Sequence, residues 1–181
     1  MVVVLIILGV VLLAAYIAAI VKTRQGKMYT FANWWDFILL MVCGIGASIS
    51  IYMLAYNGIS TALFWISLVI AVLALGFSIF LSIKINKGNA LHIILSILAK
   101  LFVFVIVALI VIVWLIGDLF KDSGKNGYNN AVTYQEAKTG EQMIDAGEKM
   151  KKASGGLAGI LLVTLVAMKW KMPEPIEKEN E

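Results

Sequence analysis

Four apolar stretches, each about 20 residues or longer, follow one another with only short polar breaks between them. At 1.5 Å per residue, a helix of about 20 residues crosses a hydrocarbon core ~30 Å thick. The first stretch, Val2 to Val21, is closed by Lys22, Arg24 and Lys27. The second opens on the Trp34-Trp35 pair and runs to Tyr56, the third runs from Ile59 to Ile83, and the fourth from Asn89 to Gly117. Asn57-Gly58 and Gly88-Asn89 punctuate the connections as tight turns do. No alternating barrel pattern is present, and lipid offers nothing to an unpaired backbone group, so each stretch is expected to be a helix. The fold class expected is all-α, an integral membrane helical bundle with four long transmembrane helices and a short fifth.

Composition points to the same solvent. The chain is 61% hydrophobic and 14% charged, with a mean hydropathy of +0.93. An ordinary soluble domain carries about 45–50% apolar and ~25% charged residues. A water-soluble fold of 181 residues has no interior large enough for this much apolar surface, so the lipid bilayer is the first partner. The net charge of +4 does not point to nucleic acid. The basic residues sit beside the apolar runs, where they act as topological anchors and contacts for anionic headgroups.

Those anchors orient the chain. The segments 22–33 and 84–88 carry Lys22, Arg24, Lys27, Lys84 and Lys87, whereas the Asn57-Gly58 connection carries no basic residue. The positive-inside rule makes the two basic loops cytoplasmic and puts the amino terminus outside, in a multi-pass protein of the cell membrane. No positive residue precedes the first apolar run and three follow it, so a retained span is expected there rather than a cleaved signal.

Four parts are expected along the chain. Residues 1–117 form the transmembrane bundle. Residues 118–154 form a polar extramembrane segment, a loop followed by an amphipathic helix interrupted at Gly140 and Gly147. Residues 155–171 are a short fifth membrane helix or an interfacial one, their apolar part being only about 14 residues long. Residues 172–181, with Pro173, Pro175 and four glutamates, read as a disordered acidic tail.

Few polar residues lie within the spans. On a helical wheel Asn89, His92, Ser96, Lys100 and Asp118 fall within about a quarter of the circumference of the fourth helix. Two readings of Lys100 stand. If only Leu101 to Gly117 spans, Lys100 snorkels at the inner surface and Asn89 to Ala99 lies amphipathically on the membrane. If the whole run is one helix, Lys100 sits inside the membrane and needs a partner, with Asp36 at the same end as the candidate. Lys100, Ser96, His92, Asp118 and Asp36 are therefore the possible members of a polar pathway. Asp36 is alternatively an interfacial acid at a helix amino terminus, and His92 an interfacial helix residue.

Small residues give a packing signal. Gly44 and Ser48, Gly46 and Ser50, and the series Ser67, Ala71, Ala74 and Ser78 recur at helical spacing. Such faces let membrane helices approach closely, either within one chain or between subunits. With Cys43 alone and His92 alone, neither a disulfide nor a clustered metal site can be built, and no cofactor is expected. No Gly-x-Ser-x-Gly, His-Glu-x-x-His or phosphate loop occurs, so no enzymatic activity is expected. The leading expectation is a scaffolding subunit of a membrane complex, oligomeric through its small-residue faces. The alternatives are a small-ion or proton pathway along the fourth helix, and a sensor signalling through 118–154 with a soluble partner at 131–152.

Overall fold

The structure, a computed structural model, describes residues 2–57 and 61–170. Five helices follow in order: α1 (Val2–Arg24), α2 (Trp34–Asn57), α3 (Ala62–Ile85), α4 (Ala90–Asn129) and α5 (Tyr134–Trp170). Four of them, α1 to α4, are long and apolar enough to cross a membrane. Only 22% to 33% of each such span is buried within the molecule, so most of their apolar surface requires lipid. The fold is thus an all-helical membrane bundle. The turn expected at Asn57-Gly58 and the tail at 172–181 fall at or beyond the edge of the described residues.

Local chemistry starts and stops the helices where the sequence turns polar. At α2 the Asn33 side chain accepts from the Asp36 N–H at 3.0 Å, while the Asp36 carboxylate accepts from the Ala32 N–H at 2.9 Å. Two donors left over at the helix start are satisfied reciprocally. At α4 the Asn89 side chain accepts from the His92 N–H. At α5 Thr133 Oγ1 accepts from the Glu136 N–H, and Glu136 accepts from the N–H groups of Val132 and Thr133. Gly26 and Gly88 take positive φ values of 67° and 94°, which only glycine adopts cheaply, and so turn the chain back into α2 and α4.

Helix α4 is the centre of the bundle and packs against α1, α2, α3 and α5. The main core joins Tyr16 and Ala19 of α1, Met28 and Phe31 of the first connection, Leu40 of α2, and Ala99, Val103 and Val107 of α4. A second cluster, Cys43 with Ala71 and Ala74, joins α2 to α3. The small-residue stripes of α2 are divided between two neighbours. A Cβ on Gly44 would come within 2.5 Å of Val107, and Ser48 Oγ donates to the Ala108 carbonyl of α4 at 3.0 Å. A Cβ on Gly46 would lie 3.0 Å from the Ser67 carbonyl, and the Ser50 and Ser67 hydroxyls are 2.8 Å apart. Both stripes are therefore used inside the chain, the first of the two alternatives that their spacing left open.

The region after Gly117 departs most from expectation. The loop expected at the start of 118–154 is helix: α4 runs unbroken to Asn129, and α5 begins at Tyr134 after a turn of only four residues. Gly140 and Gly147 do not interrupt α5. Gly117 and Gly124 on α4 face Gly147 and Gly140 on α5, and a Cβ on Gly124 would lie 2.7 Å from the Gly140 carbonyl. A seven-residue spacing on each helix keeps this seam facing its partner, and Ser154, buried, extends it one heptad further. Each glycine costs about 1 kcal/mol of intrinsic helix stability. Close backbone packing along two facing pairs offsets that cost, which is why composition alone misread the segment. The apolar 155–168 stretch then continues in α5, with Leu157 and Leu161 beside Phe102 to Val113 of α4. It runs along the bundle rather than across its end.

The seam predicts opposite signs for two kinds of glycine substitution. Gly124→Val or Gly147→Val should destabilise by about 1–3 kcal/mol through overpacking. Gly155→Ala, where nothing lies within 4 Å of a new Cβ, should stabilise by up to about 1 kcal/mol. Thermal unfolding in mild detergent, followed by the helical signal, measures both.

Candidate functional site

Asp36 and Lys100 meet inside the bundle. Lys100 Nζ lies 2.6 Å from Asp36 Oδ2, and both residues have 0% relative exposure. Helix α2 brings the carboxylate because its capping interaction puts Asp36 in the first turn, facing inward. Helix α4 brings the ammonium because it is one continuous helix from Ala90, so Lys100 is about 15 Å inside its start. The snorkelling alternative, with Asn89 to Ala99 lying on the surface, is thereby corrected. The connection 25–33 folds over this end, with Thr30 and Phe31 buried and the Phe31 ring beside the Lys100 ammonium.

Every polar atom of the pair is engaged. Lys100 has three N–H donors. One goes to Asp36 and one to the Ser78 carbonyl at 2.8 Å, and the Phe31 ring centroid stands 5.7 Å away on a third side. Asp36 Oδ2 accepts from Lys100 and the Ala32 N–H, while Oδ1 accepts from Ser78 Oγ at 2.6 Å. Among the described residues no buried side-chain N or O lacks a hydrogen-bond partner. A charge taken out of water survives only when paired and hydrogen-bonded in this way.

Further polar contacts lie between the pair and the basic end: Ser82 Oγ donates to the Ser78 carbonyl that Lys100 also reaches. Ser96 Oγ lies 3.2 Å from Ser82 Oγ and 3.1 Å from the Thr30 carbonyl, and Thr30 Oγ1 is 3.1 Å from Thr23 Oγ1. The Asn86 side chain donates to the Tyr29 carbonyl and accepts from the Tyr29 N–H, clamping the connection to α3. Of the residues singled out in sequence, Asp36, Lys100, Ser96 and Ser78 come together here. Ser78, expected only to pack, is a direct hydrogen-bond partner of both charges. His92 is half-buried two turns from Lys100 and outside the network. Asp118 lies about 27 Å further along α4 and pairs with Lys151 at 2.5 Å. Thr23, Thr30 and Asn86 were missed, since neutral polar residues in short connections carry no periodic signal. The one hint was that the Tyr29 to Asn33 connection holds no charged residue.

The second candidate is the α4–α5 hairpin beyond Gly117. Lys121 reaches Glu148 at 2.9 Å across the seam, and Lys151 stands 4.5 Å over the Trp114 ring while bonding Asp118. The Lys121 ammonium holds the Glu148 carboxyl below its ordinary value, and the Val132 and Thr133 N–H groups do the same for Glu136. At the tip Tyr128, Val132 and Tyr134 are 53%, 92% and 85% exposed.

Fold and geometry together define the class: a multi-pass α-helical membrane protein with an extended helical hairpin. Compared with known proteins, the chain matches no protein family, no curated sequence and no solved structure.

Two outcomes follow. Lys100→Met leaves a buried carboxylate without its counter-charge and should cost about 3–5 kcal/mol, most of it recovered when Asp36→Asn is added; denaturation of single and double variants in detergent gives the coupling. A carboxyl whose folded pKa is depressed contributes stability that is present above its ordinary value and lost as pH falls through the folded one. Glu136 and Glu148, ordinarily near 4.5, should therefore let the hairpin loosen as pH drops below that range. Amide hydrogen exchange over 121–148 should accelerate between pH 5 and pH 3, beyond the intrinsic pH dependence, more than exchange in α2.

Proposed function

We propose that the chain is a non-enzymatic subunit of a membrane assembly in which the bundle is the anchor and the α4–α5 hairpin the docking arm. The observation that carries this reading is the continuity of α4 and α5: the same two helices that pack in the bundle run on past Gly117 as a close-seamed pair. From Asp118 to Asn129 the arm extends α4 by about 18 Å. A rigid arm of that kind holds its tip at a fixed height over the membrane, and Tyr128, Val132 and Tyr134 there supply aromatic and apolar contact area. With the basic connections 22–33 and 84–88 cytoplasmic, the arm stands on the outer side, α5 returns as a fifth crossing, and the partner is an extracytoplasmic protein.

Self-association through Gly44, Gly46 and Ala71 loses its support, because Gly44 faces α4 and Gly46 and Ala71 face each other across α2 and α3. The pathway reading keeps one favourable observation, the cluster of polar groups Ser96, Ser82 and the Ser78 carbonyl beside the ion pair, with the Thr30 carbonyl at its edge. Against it, two of the three donors of Lys100 are held by fixed acceptors, Asp36 and the Ser78 carbonyl, as in a structural clamp. A sensor reading uses the same hairpin and differs only in what the partner does next.

Photo-crosslinking from position 132 in intact membranes, with position 70 on the exposed face of α3 as the control, distinguishes these. A docking arm should give a discrete protein adduct from 132 only, and Tyr128→Ala with Tyr134→Ala should lower its recovery by about tenfold or more. If the double variant leaves the assembly unchanged while Lys100→Met with Asp36→Asn abolishes ion flux in liposomes, the pathway reading replaces it.

A further inference from the structure

One end of the bundle is basic and has no acid of its own. Lys22 and Arg24 close α1, Lys27 follows in the connection, and Lys84 and Lys87 stand at the close of α3. All but the half-buried Lys22 are exposed. The Asn86 side chain, bonded to the Tyr29 backbone, holds the two groups on one rim around the connection 25–33. Among the described residues none of the five takes part in an ion pair. The cause is compositional: through Gly117 the only acidic residue is Asp36, buried against Lys100, and the next six, Asp118 to Glu148, belong to the hairpin at the opposite end.

Helix α5 brings the remaining carboxylates of the chain back to this rim. Its seam with α4 sets Gly147 against Gly117 and Gly140 against Gly124, so the two helices are antiparallel, and Leu161 reaches the main core beside Phe102. From Leu161 the helix runs about 14 Å further to Trp170, which puts its end level with the first turns of α4 and hence with the rim. Residues 171–181 follow, outside the described residues, and hold Glu174, Glu177, Glu179 and Glu181 against Lys171 and Lys178. A segment of that length reaches at most roughly 36 Å. The rim is nearer: α5 packs on α4, and α4 on both α1 and α3, so Lys84 and Lys87 lie about two helix spacings, ~20 Å, from the end of α5. We infer that the segment 172–181 docks on this rim, its glutamates against Arg24, Lys27, Lys84 and Lys87, as a charged latch across the connection 25–33. Each such pair is exposed, weak and screened by salt. Tethering to α5 supplies the effective concentration that isolated pairs lack. The latch lies over the connection that seals Lys100 and Asp36, and it is independent of the docking arm at the other end.

The test is zero-length carbodiimide crosslinking, which joins only a carboxylate and an amine already in contact, applied to the full-length protein in phosphatidylcholine nanodiscs holding one copy each. Mass spectrometry of the digest should place bonds from Glu174, Glu177 or Glu179 to Lys27, Lys84 or Lys87 at about 20 mM salt, with the yield falling about tenfold at about 0.5 M. Glu174→Gln combined with Glu177→Gln, Glu179→Gln and Glu181→Gln should speed amide exchange across 25–33 roughly threefold or more, with helical content unchanged. Bonds from these glutamates to the hairpin lysines alone, a yield that salt leaves unchanged, or exchange of 25–33 unaltered in the glutamine variant overturns the latch. Loss of the same bonds when phosphatidylglycerol replaces part of the phosphatidylcholine overturns it in favour of anionic headgroups as the occupant of the rim.

Discussion

An ammonium and a carboxylate cannot both be carried into a low-dielectric bundle unless they meet, and the meeting of Lys100 with Asp36 fixes how the other parts are arranged. Asp36 must lie in the first turn of α2, which its capping exchange with Ala32 and Asn33 enforces. Ser78 must bring both its hydroxyl and its carbonyl to the pair, which fixes α3 against α2 and α4 in height and rotation. The connection 25–33 must fold inward to exclude water, and the Ser96, Thr23 and Asn86 contacts hold it there. Apolar surfaces alone slide and rotate past one another in lipid, because helix association there has no hydrophobic drive. A single desolvated pair with directional bonds gives the bundle a unique register.

Beyond Gly117 a different principle holds the molecule together. The hairpin has little apolar material on its facing sides, so it relies on backbone proximity: glycines at seven-residue intervals and a buried serine let α4 and α5 approach more closely than larger side chains permit. Charged residues then cross the seam on its flanks, Lys121 to Glu148 and Lys151 to Asp118. Such exposed pairs add little energy each, but they oppose sliding of one helix along the other. The result is a projection whose orientation is inherited from the bundle, since no flexible joint separates the two parts of either helix.

The same helices connect the two ends functionally. Helix α4 contributes the ammonium of the buried pair near one end and the first half of the hairpin at the other. Helix α1 stands apart from this arrangement, since its packed half ends near Leu12 and its described side chains from Val3 to Val11 are exposed.

The sequence by itself determined the solvent and the spans, because long apolar runs have only one stable environment and each run is legible without knowledge of its neighbours. It also supplied the right charges: Lys100 and Asp36 stand out because a charge within an apolar run is costly wherever it ends up. Which reading of Lys100 held, and which helices the Gly44 and Gly46 stripes face, depended on contacts between different helices, 17 to 64 residues apart in the chain, which local pattern does not encode. The glycines after Gly117 show the limit most directly. Taken one by one they argue against a helix, and only the opposite helix, brought within reach by the turn at 130–133, converts that local cost into close packing.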